Sequence, residues 1–589
     1  MAKGEVLVRI GGEGGEGVIS TGEILTQALA RASYSVFTFR TYPAEIKGGY
    51  AMFQVRIASH GAILSSGDVP DFLVLFNREA YENSAPLIQK NTLLIYDSNE
   101  FELQEACIPY AIPLGKIARE QVGNPLTKNI VCLGAICQIL GAPLDRVREV
   151  LRAKFLSKGE VIAEKNLLAL EIGGKYVDEH FSIHPELKLE VPSHKREGIV
   201  VSGNQAICLG ALAAGCRAVF GYPITPASDI LEWMSRELPR FRGVVVQTED
   251  EIAALSAAIG ASYAGKKSMT ATSGPGFSLM TELLGLASMA EIPVVVIDAQ
   301  RSGPSTGMPT KTAQADLNLA VYGTHGEGPR IVMAPIDVED CFYQTLQAFN
   351  MAEKYQLPVI VLSDQSLSQR TQTIARPDLH RIQVVDRLQA SSLNGEVFKR
   401  YIITEDGVSP VSFPGNPGGR YMATGLEHDE EGSPQYDPVT HEQMNLKRFK
   451  KLERAVEEPH CVVQYGEESG EVGILCWGST VGIVREAAQA AQAEEISVGV
   501  LAPKMLYPVR YKEISEFASR FQKILVPELN FTGQLASLIR TKVSVPLISY
   551  TKCQGIPFTL EEILVKIREL HGMNGDSLRR SQDVITANT

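Results

Sequence analysis

Ala218-Val-Phe-Gly-Tyr-Pro-Ile-Thr-Pro-Ala-Ser228 runs from a short apolar stretch through two prolines into a helical pattern that continues to Glu237. An apolar run, a proline-fixed turn and an N-capping type of residue read as a strand feeding a helix. Pro223 and Pro226 bracket Thr225 and restrict the backbone around it. A hydroxyl is thereby held rigidly at the C-terminal end of a strand, the edge where parallel α/β sheets bind their ligands. Thr225 is therefore a candidate site residue.

The same alternation extends in both directions. Helical patterns cover Gly203–Gly215 and Glu249–Gly260, and strand patterns cover Gly243–Gln247, Lys267–Ala271, Val294–Ala299 and Pro358–Leu362. A parallel sheet covered by helices is the economical fold for residues 198–375. Upstream, Glu5–Ile10 is β-rich and leads through Gly11-Gly-Glu-Gly-Gly-Glu-Gly17 into an Ala-rich helix. Residues 1–184 predict a further α/β domain, followed by a polar linker at 185–197. Residues 376–466, rich in Pro, Gly and charge, predict a connector. Strand patterns at Gly473–Trp477, Ser497–Leu501, Ile524–Pro527 and Leu547–Tyr550 predict a smaller third α/β domain over 467–589.

Composition excludes several function classes. With 589 residues the chain is long enough for about two to four cores. Its apolar runs are strand-sized, well short of the roughly 20 residues that cross a bilayer. The first residues lack the apolar core of a secretory signal, so a cytoplasmic protein is expected. A net charge of −12 without a basic stretch argues against nucleic acid. The nine cysteines include no Cys-x-x-Cys pair, so no metal or iron–sulfur site is expected here, and most should be buried and reduced.

Three other stretches carry candidate chemistry. The glycine loop at 11–17 reads equally as an anion-binding turn or as a structural one. Lys47, in Arg40-Thr-Tyr-Pro-Ala-Glu-Ile-Lys-Gly-Gly-Tyr50, and Lys128, at the start of an apolar helix, read as carboxylate-binding or as solvated lysines. Val246-Gln-Thr-Glu-Asp-Glu251 places three acids at a helix start, of which Asp250 and Glu251 suffice for capping and dipole compensation. Glu249 is the acid left over.

Taken together, Gly221–Ser228, the Glu249 helix, Thr272-Ser-Gly-Pro-Gly-Phe277 and Ala299-Gln-Arg-Ser-Gly-Pro-Ser-Thr-Gly-Met-Pro-Thr310 resemble the α subunits of 2-oxoacid:ferredoxin oxidoreductases. The N-terminal domain resembles that family's γ subunit fused ahead of α. The last domain resembles a transketolase C-terminal domain. The resemblance implies that Glu249 hydrogen-bonds N1′ of the thiamine diphosphate pyrimidine, beside Tyr222, Pro223 and Ile224. It implies that Thr225 and Arg301 contact the 2-oxo-carboxylate end of the substrate, with Thr310, Lys47 and Lys128 around the same pocket. Coenzyme A is the implied co-substrate and ferredoxin the acceptor. No Gly-Asp-Gly followed by an Asn supplies a diphosphate and Mg²⁺ site, and no cysteines supply a cluster. The resemblance therefore implies a β subunit carrying Mg²⁺, diphosphate and a [4Fe-4S] cluster, in an α₂β₂ assembly. Several cations near the pocket suit a dicarboxylate, 2-oxoglutarate. The other readings are pyruvate or broad 2-oxoacid specificity, a non-oxidative thiamine-dependent decarboxylase, or a non-catalytic nucleotide-binding module.

Overall fold

The structure is a computed structural model that describes residues 3–43, 48–103, 107–183, 188–194, 198–391 and 397–572. These form two compact units, Met1–Ser202 with Gln369–Arg376, and Gly203–Ser368 with Pro377–Thr589.

The first unit is built on an eight-stranded mixed sheet. Its strands run in the order Ile108–Ile112, Leu93–Asp97, Phe72–Leu75, Glu5–Glu13, Tyr50–Ala58, Ser35–Thr41, Thr371–Ala375 and Gly198–Ser202. The first four are mutually parallel, and Glu5–Glu13, Tyr50–Ala58 and Ser35–Thr41 pair antiparallel. The α/β expectation holds, but the boundaries shift. Gly198–Ser202 and Thr371–Ala375, read as the ends of the second domain, instead pair antiparallel with each other and extend the first sheet next to Phe37. The physical reason is the edge of Ser35–Thr41, whose open N–H and C=O groups they cover. Part of the 185–197 linker is also docked, because Lys3 and Glu190 exchange backbone bonds with Lys188 and Lys3 and bury Leu189.

Helix Glu160–His180 has no clear counterpart in the sequence reading. Its Gly173-Gly174 pair lowers helical propensity, and tertiary packing shows why glycine is there. A Cβ at Gly173 would strike the Val131 carbonyl, and one at Gly134 the Leu170 carbonyl, so helices Lys128–Leu140 and Glu160–His180 touch backbone to backbone.

The second unit holds two sheets. Seven strands run in the order Met505–Tyr507, Ile331–Met333, Pro358–Asp364, Val294–Gln300, Ser268–Thr272, Ala218–Gly221 and Val244–Gln247, all parallel except the first pairing. Five more run Val462–Gly466, Val498–Pro503, Gly470–Leu475, Phe521–Glu528 and Leu547–Thr551, parallel except for Val462–Gly466. The connector expected over 376–466 therefore ends by adding a strand to the last sheet. The two sheets share one core, in which Leu317, Val332 and Leu362 cluster with Leu475, Trp477, Phe517 and Leu535. Gln314 ties them together: its amide donates to the Trp477 carbonyl at 2.8 Å, and its Oε1 accepts from Thr480 Oγ1 at 2.9 Å and from the Leu529 N–H at 3.1 Å. Seven of the nine cysteines are buried and none forms a disulfide. No helix among the described residues is long and apolar enough to cross a membrane.

Candidate active site

The C-terminal edge of the seven-stranded sheet gathers the loops that follow Gly221, Gln247, Thr272 and Gln300. Parallel pairing puts these four loops side by side, so motifs distant in sequence become neighbours. The turn after Gly221 is set by backbone bonds: Ala227 and Ser228 donate to the Ile224 carbonyl at 2.8 and 2.9 Å, and buried Asn204 donates to the Pro226 carbonyl at 2.9 Å. The helix Ser228–Glu237 thus begins on Ala227 without the side-chain cap expected of Ser228.

Arg301 locks onto this turn. Its Nη1 donates to the Thr225 carbonyl at 2.9 Å and its Nη2 to the Thr306 carbonyl at 3.1 Å, while Nε has no partner. The residue is buried, yet both protein contacts are to neutral carbonyls. Burial pulls its pKa down and the Asp316 carboxylate pulls it back up. Among the described residues no carboxylate forms a salt bridge with this guanidinium, and Asp316 acts on it only from further away. Arg301 holds the Thr225 backbone carbonyl, and the Thr225 hydroxyl makes no hydrogen bond among the described residues. Thr310 is buried on the same Ser302–Lys311 loop, which closes through Ser302 N to Lys311 O at 3.0 Å and Met308 N to Ser302 O at 2.9 Å. Tyr222 and Pro223 are exposed at the edge, and Ile224 is half-buried. Arg301 and Thr225 are thus in direct contact, and Thr310 lies buried on the loop that follows Arg301.

Glu249 is not where an acid facing a buried ring must be. It lies ahead of helix Glu251–Tyr263 and is exposed. Asp250 is the cap, accepting from the Ala253 N–H at 2.7 Å. Glu251 is the buried acid, 7% exposed, on the helix face that also buries Leu255 and Ala258. Its carboxylate has no hydrogen bond or ion pair among the described residues. A Cβ at Gly276 would land on Glu251 Oε1 and Thr272 Oγ1, so glycine is required for this close approach. The dipole-compensating role assigned to Glu251 hid it. The available signal was the i, i+4, i+7 spacing of Glu251, Leu255 and Ala258, which puts the acid on the apolar stripe.

The Thr272–Phe277 turn joins these parts. Gly276 faces Glu251, and Gly274 faces Asp316, whose charge acts on Arg301. A ring nitrogen can be held by a nearly buried, unengaged carboxylate, so the residues present fit the pyrimidine half of thiamine diphosphate.

The first unit's candidates read differently. Lys128 Nζ lies 3.1 Å from Asp97, 3.6 Å from both Glu16 and Glu100, and donates to the Phe76 carbonyl at 3.1 Å. Burial alone would lower its pKa, but the three acids outweigh it and hold the ammonium charged. Asp97 is completely buried, so Lys128 is the counter-charge that the first unit's own packing requires. Lys47 lies outside the described residues. In the glycine loop, Glu13 N donates to Glu16 Oε2 at 2.8 Å, Gly14 N to the Gly49 carbonyl at 3.0 Å and Glu16 N to the Glu13 carbonyl at 3.1 Å. Amides already used in this way favour the structural-turn reading over an anion site.

Comparison with known proteins covers nearly the whole chain. The family model for pyruvate flavodoxin/ferredoxin oxidoreductase, thiamine diphosphate-binding, matches residues 209–447. Models for pyruvate ferredoxin/flavodoxin oxidoreductase and for pyruvate:ferredoxin oxidoreductase core domain II match residues 7–176 and 470–563. A 2-oxoglutarate oxidoreductase subunit KorA from Mycobacterium tuberculosis is 35% identical over 602 residues, 95% of this chain and 90% of that one. A 2-oxoacid:ferredoxin oxidoreductase subunit alpha from Aeropyrum pernix is 30% identical over 96% of this chain and 98% of its own. The solved structure of 2-oxoglutarate:ferredoxin oxidoreductase from Magnetococcus marinus, with 2-oxoglutarate, coenzyme A and succinyl-CoA bound, superposes with a TM-score of 0.92 at 43% identity, covering 96% of this chain and all of that one. Relatives at 30% identity or more over nearly the whole length of both chains show that this chain belongs to the 2-oxoacid:ferredoxin oxidoreductases, as an enzyme subunit of the alpha type.

Proposed function

We propose that the chain acts on 2-oxoglutarate, converting it with coenzyme A to succinyl-CoA and CO₂ and passing the electrons to ferredoxin. The observation that carries this reading is the whole-chain likeness, at 43% identity, to a structure holding 2-oxoglutarate, coenzyme A and succinyl-CoA. The sheet edge supports it. Thiamine diphosphate, when bound, supplies the nucleophilic carbon and the electron sink for decarboxylation. Glu251, rather than Glu249, holds the pyrimidine ring nitrogen and keeps a proton there. Arg301 takes the substrate carboxylate, oriented by its two carbonyl contacts. The Thr225 hydroxyl donates to the 2-oxo oxygen as negative charge grows on it, with Thr310 beside it and Tyr222, Pro223 and Ile224 flanking the cofactor. Lys128 enters only as the counter-charge of Asp97, and Lys47 as a second cation for a dicarboxylate.

The site for the cofactor's diphosphate and Mg²⁺, and a [4Fe-4S] cluster, come from a β subunit, in an α₂β₂ enzyme of the cytoplasm. Among the described residues no group of three or more His, Cys, Asp or Glu side chains is placed to hold a metal ion.

The test is viologen reduction by the native complex, purified anaerobically through this chain, with coenzyme A and either 2-oxoglutarate or pyruvate. A kcat/KM at least about tenfold higher for 2-oxoglutarate is expected, the size of a single added carboxylate contact. A preference for pyruvate overturns the substrate, and no reduction with any 2-oxoacid overturns the reaction.

A further inference from the structure

Two acids beside Arg301 have no part in the reading above. Asp298 sits on strand Val294–Gln300, three residues before Arg301, and is fully buried. Asp316 precedes helix Leu317–Tyr322, with its N–H fixed on Gln300 Oε1 at 3.0 Å and its carboxylate packed against Gly274. The two carboxyls lie within hydrogen-bonding reach of each other. Neither oxygen of Asp298, nor Oδ2 of Asp316, meets an N–H or O–H donor among the described residues. Two ionised carboxylates facing each other away from water and without a donor are heavily disfavoured. A single shared proton removes one charge and makes the missing hydrogen bond, as in other carboxyl dyads.

The surroundings decide where the remaining charge sits. Strand Val294–Gln300 contributes Asp298 itself and the neutral Gln300. The turn into helix Gly274–Leu279 brings Gly274 against Asp316 and carries the neutral, buried Ser273 hydroxyl; the neighbouring strand ends in buried Asp364, whose Oδ1 accepts from Thr312 Oγ1 and the Leu367 N–H; and Gln534 donates its neutral amide to the Ala315 carbonyl. Arg301 is the cation that acts on the pair, and it acts on Asp316. Burial, then repulsion from Asp316, pushes the Asp298 carboxyl far above the ordinary range. Burial raises Asp316 less, to about 6, because the Asp298 hydrogen bond and Arg301 both favour its charged form. Asp298 is thus the protonated partner, and Asp316 the one that titrates.

We propose that Asp298 and Asp316 hold one proton between them, and that the single charge left on Asp316 sets how strongly Arg301 takes the substrate carboxylate. Both are positioning residues acting through Arg301, and the second half of the proposal rests on the assignment of Arg301 given above. With Asp316 ionised, part of the guanidinium's field is cancelled. With Asp316 neutral, Arg301 faces the substrate uncompensated and binds it more tightly.

The experiment follows KM for 2-oxoglutarate and for coenzyme A in the native complex between about pH 5 and 8, in wild type, Asp316→Asn and Asp298→Asn. In wild type the 2-oxoglutarate KM falls as pH drops through about 6. Asp316→Asn holds it low throughout, about tenfold under wild type at the alkaline end, the equivalent of one pKa unit of charge interaction. Asp298→Asn keeps the charge on Asp316 and donates to it, so KM matches wild type at the alkaline end and the inflection moves to lower pH. Coenzyme A KM is unchanged in all three. A 2-oxoglutarate KM in Asp316→Asn that tracks wild type at every pH overturns the charge-setting role. Infrared spectra of the full chain labelled with ¹³C-aspartate read the proton directly and need no turnover. A protonated-carboxyl band near neutral pH that Asp298→Asn removes is expected, and its absence from wild type overturns the shared proton. Arg301→Gln separates the two layers: an unchanged 2-oxoglutarate KM in that variant overturns the assignment of Arg301, while the infrared band still decides whether the pair is protonated.

Discussion

The second unit contains two kinds of buried acid, and they are treated in opposite ways. Glu291 is completely buried between Lys447 and Lys451, each 2.5 Å from one of its oxygens, with Arg400 donating to its backbone carbonyl. Burial would raise its pKa, but the two lysines and Arg400 outweigh burial and hold it well below the usual carboxylate range. Glu251, Asp298 and Asp316 lie toward the sheet edge with no cation bonded to them among the described residues. The first cluster pins helix Pro438–Ala455 of the connector onto the loop before strand Val294–Gln300. A fully paired acid is spent on holding the fold, whereas an acid left without donors keeps its chemistry for a ligand or a proton.

The comparison breaks most visibly at Glu251. Glu251→Gln should lower kcat about 10³-fold in viologen reduction, within the range for losing an acid–base group, and leave the urea midpoint unchanged. Glu249→Gln, at an exposed position, should leave both kcat and the urea midpoint unchanged. Equal losses in the two variants would return the cofactor acid to Glu249.

At Glu291 the effects should be reversed. Glu291→Gln strands two buried ammonium groups and should cost about 3–5 kcal/mol of stability, read as a lower urea midpoint with an unchanged slope. Whatever fraction stays folded should keep the wild-type KM for 2-oxoglutarate.

A more gradual effect, spread over pH, comes from the excess of cations over anions in that cluster. Burial first, with repulsion from Lys447 and Arg400, pushes Lys451 down to about 7 despite its bond to Glu291. Its folded pKa is below the unfolded value of about 10.4, so between those limits the unfolded chain binds more protons. Stability should therefore rise with pH from about 7 to 10, with a slope of up to ~1.4 kcal/mol per pH unit. Lys451→Met should flatten that rise in urea melts across the window. A slope that survives in the variant would locate the titrating group elsewhere.

Most strands of the two parallel sheets were legible because their apolar runs are continuous and bounded by turns. Short strands such as Ile331–Met333 and Met505–Tyr507 were not, because three residues carry no period. Thr225 and Arg301 were legible from a proline-bracketed turn and from a resemblance spread over four motifs. Glu251 was misread because a helix-start acid always has capping and dipole compensation available as an explanation. The ion pairs of Lys128 were not legible because Asp97, Glu16 and Glu100 come from three separate segments.

The sequence by itself determined the α/β class, the turn that holds Thr225 and the family, because local backbone restriction and motif order need no knowledge of neighbours. Tertiary structure alone decided that Gly198–Ser202 and Thr371–Ala375 complete the first sheet, that Glu251 is the buried acid, and that Asp298 faces Asp316. Each of these depends on which groups lie alongside once water is excluded. Pairing, desolvation and charge compensation are set by distance in space, which separation along the chain does not encode.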